Sequence, residues 1–159
     1  MNATDLLTTL AELGVALAGF SGIVVVLGAR PAGEWSARGQ VALSVLLAAS
    51  GGVIVWSIVP LLLLTAEVPD RSVWLLSSGS WFIGDIATTV VRARQLARQP
   101  EAMAQGWGFN LLSLLGETAA LAVQLANLWL GVAWPHLAAV SWHLALSFLV
   151  FVRLLRTPP

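Results

Sequence analysis

Long apolar runs separated by short polar linkers dominate this chain. Crossing a bilayer takes about 20 mostly apolar residues in a helix. Five runs reach or approach that length, at about 6–29, 41–66, 73–91, 109–130 and 136–152. Glu12 interrupts the first, Asp85 the third and Glu117 the fourth, while the second carries no charge. The linker at 30–40 holds Pro31 and Gly33, the one at 67–72 holds Pro69, and the one at 92–106 carries three Arg. Residues 131–135 form a tight turn, which makes the last two runs an antiparallel hairpin. The pattern predicts an all-α, polytopic membrane helix bundle. It is a single integral membrane domain over 1–159 with five transmembrane helices.

The arginines test that count. Five crossings place Arg30, Arg38, Arg92, Arg94, Arg98, Arg153 and Arg156 on one side and only Arg71 on the other. Positive residues favour the cytoplasmic side, so the N-terminus is expected outside and the C-terminus in the cytoplasm. Trp35, Trp74, Trp107, Trp129 and Trp134 fall at or near the ends of the runs, as an interfacial aromatic belt requires.

Composition agrees with this reading and narrows it. Hydrophobic residues make up 58% of the 159 and charged residues 10%, with a mean hydropathy of +0.85. A soluble domain carries about 25% charge, and a disordered one is poor in apolar residues, so both classes are excluded. Eight Arg and eight acids cancel to zero, and without a basic face no nucleic-acid partner is expected. The chain has no Cys and no Lys, which removes thiolate, disulfide, iron–sulfur and Schiff-base chemistry. No His cluster has metal-ligand spacing, so neither metal nor other cofactor is expected. The first residues lead through Asp5 into an apolar run without a basic lead, and no cleaved signal peptide is expected.

Helices in lipid associate through close backbone approach at small residues and through interhelical hydrogen bonds. Gly14, Ala18 and Gly22 recur at four-residue spacing in the first run, Ser44, Ala48 and Gly52 in the second, and Ser80, Gly84 and Thr88 in the third. Each set lies along one helix face and predicts a tight crossing. Pro60 has no N–H, so it should free the carbonyl of Trp56 one turn earlier.

The most informative feature is a polar stripe in the fourth run. Asn110, Ser113, Glu117, Ala120, Gln124 and Asn127 recur at three- and four-residue steps and share one face. Such a stripe must face other helices, a symmetry mate or water, because polar groups are expensive in lipid. A shorter stripe joins Ser78, Trp81, Asp85, Thr88 and Arg92 in the third run. The fifth offers His136, His143 and Ser147, and the first Asp5, Thr8 and Glu12. At about 1.5 Å per residue, Asp85 lies roughly 9 Å and Glu117 roughly 12 Å from the inner ends of their runs. With His143 near mid-membrane, these three could share one cluster. Glu12 sits nearer the outer face, level with Gln124, and His136 beside Pro135 reads as interfacial.

The segment Ala11-Glu12-Leu13-Gly14-Val15-Ala16-Leu17-Ala18-Gly19-Phe20-Ser21-Gly22-Ile23-Val24 resembles one recurrent in small, uncharacterised bacterial inner-membrane proteins. The resemblance implies a multi-pass protein of the bacterial inner membrane and brings no activity with it. The residues themselves point to a homo-oligomeric channel or proton/cation conductor, because acidic groups along a pathway favour cations. Five short helices do not easily enclose a pore alone, so each copy would present its stripe to a common axis. The alternative is a non-conducting structural or accessory subunit of a larger membrane complex. With no nucleophile–base pair beyond an intrahelical His143–Ser147 neighbourhood, an enzyme is not expected, and the expected surroundings are membrane lipid.

Overall fold

The computed structural model describes residues 2–27, 37–98 and 107–156. Five helices follow one another: α1 (Ala3–Leu27), α2 (Ala37–Thr65), α3 (Asp70–Arg98), α4 (Trp107–Leu130) and α5 (Ala133–Arg156). Four of them, over Ala3–Ile23, Ala42–Thr65, Gly108–Leu130 and Ala133–Leu155, are long and apolar enough to cross a membrane. The protein is therefore a membrane-embedded helical bundle. Charges at both ends of α3 and Asp85 within it lower its hydropathy below the other four. The helices outrun the apolar runs, because backbone hydrogen bonding does not stop where the side chains turn polar. Most visibly, Arg92, Arg94 and Arg98 extend α3 instead of lying in a loop. The first and third expected linkers fall partly outside the described residues, and Arg30, Pro31, Gly33 and Trp35 fall wholly outside them.

Side chains and backbone geometry set the helix ends. Asn2 Oδ1 accepts from the Asp5 N–H at 2.8 Å while Asp5 Oδ2 accepts from the Asn2 N–H at 3.2 Å, a reciprocal cap on α1. At the end of α2, Glu67 adopts φ 56°, Val68 N–H donates to the Leu63 carbonyl and Glu67 N–H to the Leu64 carbonyl. This is a Schellman stop made without its usual glycine. α4 ends at Gly131, whose φ of 61° lets its N–H return to the Asn127 carbonyl at 2.9 Å. Arg71, near the start of α3, donates from Nη2 to the Trp129 carbonyl at 3.3 Å. A cation there also complements the negative end of the helix dipole. Pro135 is tolerated because it lies in the first turn of α5, where N–H groups have no partner within the helix.

α5 is the organising helix, since it touches all four others. Leu46 of α2 packs with Leu146, Val150 and Leu154 of α5 at one end of the bundle. Leu7 of α1 packs with Val73 and Trp74 of α3 at the other. Between them, Leu10, Val53 and Val140 join α1, α2 and α5. The outward faces are apolar: Leu62, Ile83, Leu114 and Trp129 are each more than 60% exposed, as lipid contact requires. Trp74 is a core residue and not part of an interfacial belt, whereas Trp129 and Trp134 do lie exposed at the α4–α5 turn.

The small residues behave less regularly than their spacing suggests. Gly14 is buried against α2, where an added Cβ would lie 3.0 Å from Ile54 and 3.2 Å from the Ser50 carbonyl. Ala18 is half-buried and Gly22 is exposed, so of this row only Gly14 is buried. Ser44 and Ala48 face outward, and Gly52 lies beside Trp56 of its own helix. That row therefore makes no crossing; the α2 side of the contact is Ser50, Val53 and Ile54. Small residues surround α2 on every side, so spacing alone could not choose the face. Two glycines admit indole rings from other helices. Gly84 of α3 receives Trp56 of α2, and Gly116 of α4 receives Trp142 of α5 so closely that a Cβ would fall 1.8 Å from the ring.

Candidate functional site

The polar faces of α3, α4 and α5 turn toward one another inside the bundle. They form two layers separated by seven residues on each helix. Two helical turns of seven residues rise about 10 Å. The inner layer contains Asp85, Glu117 and His143, and the outer layer contains Ser78, Gln124 and His136. Trp81, Ala120 and Ala139 pack together between them as an apolar septum.

In the inner layer, His143 Nε2 lies 3.5 Å from Glu117 Oε2 and 3.8 Å from Asp85 Oδ1. One ligand-type atom from each residue lies within 4.8 Å of the others. Asp85 is 7% and His143 6% exposed, and the Glu117 side chain is 16% exposed. Nδ1–H of His143 donates to the Ala139 carbonyl at 3.1 Å, one turn back on α5. With that nitrogen occupied, the lone pair or second proton of the ring sits on Nε2, aimed at the two carboxylates. Trp81 stacks edge-on against the same ring, with centroids 5.3 Å apart and planes at 74°. Ser147 Oγ donates to the His143 carbonyl at 2.8 Å and steadies this turn. Asp85 Oδ2 is buried with no hydrogen-bond partner among the described residues. Buried polar atoms normally find partners, and Gln124 Oε1 in the other layer is likewise without one among the described residues.

The outer layer is wired differently. His136 Nε2–H donates to the Trp56 carbonyl at 2.8 Å, and Nδ1 accepts from Gln124 Nε2 at 3.2 Å. The Trp56 carbonyl is the one that Pro60 leaves without an i+4 donor, so α5 supplies the bond missing from α2. Asn127 Nδ2 donates to Ser78 Oγ at 2.8 Å, and Asn127 Oδ1 accepts from the Val132 N–H at 3.0 Å. Four helices, α2 to α5, and the α4–α5 turn are thereby tied together. His136 is fully buried, not interfacial. The sequence exposes the vacant Trp56 carbonyl through Pro60, but not which helix fills it.

The other expected site residues separate along the stripe. Ser113 is half-buried one turn below Glu117, and Asn110 is exposed at the start of α4. Glu12 lies on the exposed face of α1, away from the cluster. From Glu117 to Asn127 the stripe faces α3 and α5 of its own chain. The absence of a His pair at metal spacing concealed a possible ligand set, because one imidazole and two carboxylates arrive from three helices. Compared with protein-family models, curated proteins and solved structures, the chain matches none, so the functional reading rests on this geometry alone.

Proposed function

We propose that the chain is a small, non-enzymatic proton or cation conductor whose working site is the Asp85–Glu117–His143 cluster. One observation carries this reading: three titratable side chains from three helices converge within 4.8 Å inside an apolar bundle. Keeping ionisable groups at such a position is costly, and packing alone would be served better by apolar residues. In this reading the bundle crosses the bacterial inner membrane five times, with the N-terminus outside and the seven-arginine end in the cytoplasm. Burial of Val73, Ser77, Trp81 and Asp85 on α3 supports its counting as a fifth crossing.

The cluster is approached from the cytoplasmic end along Asn110, Ser113 and the partly exposed Glu117. Trp81, with Ala120 and Ala139, closes it toward the other side. Protons exchange among Glu117, His143 and Asp85, and passage requires the indole of Trp81 to give way. Because the polar face of α4 is used within one chain, the pathway runs through a single bundle. Association of copies, if it occurs, uses the exposed outer faces.

The test is proton flux into liposomes containing the purified chain. Glu117→Gln and Asp85→Asn should each lower it by about tenfold or more, the scale on which removing a positioned proton-transfer group acts. Unchanged flux in both variants defeats the proposal. The accessory-subunit reading draws on the outer layer, where Gln124, Asn127 and His136 serve the bundle itself. It is favoured if the chain copurifies with a stoichiometric membrane partner and carries no flux of its own.

A further inference from the structure

From the inner layer we infer that Asp85, Glu117 and His143 form a binding site for a divalent first-row transition-metal ion, one per chain. The inference deepens the conductor reading by naming a cation and rests on the same cluster. Its own support is coordination chemistry. The site offers one imidazole nitrogen and two carboxylates, held by α3, α4 and α5 and converging on a common point. The Nε2–Oε2 and Nε2–Oδ1 separations are 3.5 and 3.8 Å. Ligands about 2.05 Å from a tetrahedral Zn²⁺ stand about 3.3 Å apart, so small rotations of the carboxylates bring them into range.

Two further features point the same way. His143 Nδ1–H is held by the Ala139 carbonyl at 3.1 Å. A backbone acceptor on the far nitrogen is the usual device that fixes the tautomer and ring plane of a metal-binding histidine. Asp85, more than nine-tenths buried, has an oxygen without a hydrogen-bond partner among the described residues. A dication would engage it, and two carboxylates would cancel the ion's charge. The loaded site would then carry no net charge in an apolar interior. With no thiolate the set does not suit Cu(I), and with one nitrogen and few oxygens it does not suit Mg²⁺ or Ca²⁺, which prefer six or more oxygens. Three protein ligands leave a fourth position open to water.

The experiment is calorimetric titration of Zn²⁺ into the full chain in detergent after chelator treatment, with Mg²⁺ as comparison. One Zn²⁺ should bind per chain. Binding should weaken by more than about tenfold in His143→Gln and in Glu117→Gln, and should be unchanged in Glu67→Gln, which alters an exposed acid in a turn. Circular dichroism checks that each variant is folded, and the near-isosteric Glu117→Gln decides the matter if His143→Gln is not. Co²⁺ in place of Zn²⁺ should give the visible absorption of a low-coordinate nitrogen–oxygen site, lost in the same variants. Wild-type binding no tighter than that of the variants, or equal binding of Mg²⁺, overturns the inference. Proton flux without Zn²⁺ binding overturns the metal site and leaves the proton reading standing. Zn²⁺ binding without proton flux or Zn²⁺ uptake does the reverse.

Discussion

The two histidines of α5 lie two turns apart and have opposite surroundings. His136 spends both ring nitrogens on neutral partners, an amide and a backbone carbonyl, at 3.2 and 2.8 Å. His143 commits one nitrogen to its own helix and points the other at two carboxylates, at 3.5 and 3.8 Å. These last distances exceed those of well-formed hydrogen bonds. The first layer is a hydrogen-bonded network across helices, although Gln124 Oε1 is buried without a partner among the described residues, and such networks rigidify a fold. The second brings an imidazole and two carboxylates together at 3.5 and 3.8 Å, an arrangement also found at functional sites. The same residue type on the same helix thus has neutral hydrogen-bond partners in one layer and two carboxylates beside it in the other.

The contrast can be broken most forcefully from the outer side. His136→Ala should destabilise the bundle by about 2–4 kcal/mol, through the cavity and the abandoned Trp56 carbonyl. Unfolding in a denaturing detergent series measures this. A loss no larger than that of Glu117→Gln would show that the outer layer does not hold the fold. Gly116→Val should cost about 1–3 kcal/mol, because the Trp142 ring already fills the space of a Cβ. Asn127→Ala should cost about 1–2 kcal/mol, the upper range for interhelical hydrogen bonds in membranes.

From the inner side the expected pattern reverses. Glu117→Gln should shift stability by less than about 1 kcal/mol, since a buried ionisable group adds little net stability, and yet abolish most of the flux. Trp81→Leu should raise flux per folded molecule by thinning the septum between the layers, and an unchanged rate would remove Trp81 from the pathway. Flux should also rise in direct proportion to protein density in the liposomes, because the pathway lies within one chain. A steeper dependence would mean that several copies build it. The smallest effect concerns the stop of α2. Glu67→Gly should stabilise by about 0.5–1 kcal/mol, by relieving a left-handed backbone that disfavours a side chain.

Much of this architecture is legible in the sequence. Periodicity placed Asp85 and Glu117 on polar faces, and helical rise put them at similar depth, so their meeting with His143 follows from one-dimensional geometry. Pro60 likewise announced a carbonyl in need of a donor. What escaped was pairing between helices. Spacing names a face but not its partner, so it did not show that His136 is buried between helices or that Glu12 lies on an exposed face. The row of Ser44, Ala48 and Gly52 failed for a related reason, because small residues cover every side of α2. The insertion of Trp142 into Gly116 had no signal at all. A lone glycine in an apolar helix looks the same whether it meets lipid or an indole.

Proton flux per folded molecule in Glu117→Gln and Asn127→Ala, measured side by side in matched liposomes, probes the division of labour between the layers directly. Glu117→Gln should retain the fold and lose flux, whereas Asn127→Ala should lose stability and conduct as the wild type does. Equal loss of flux in both, or wild-type flux in Glu117→Gln, would contradict it.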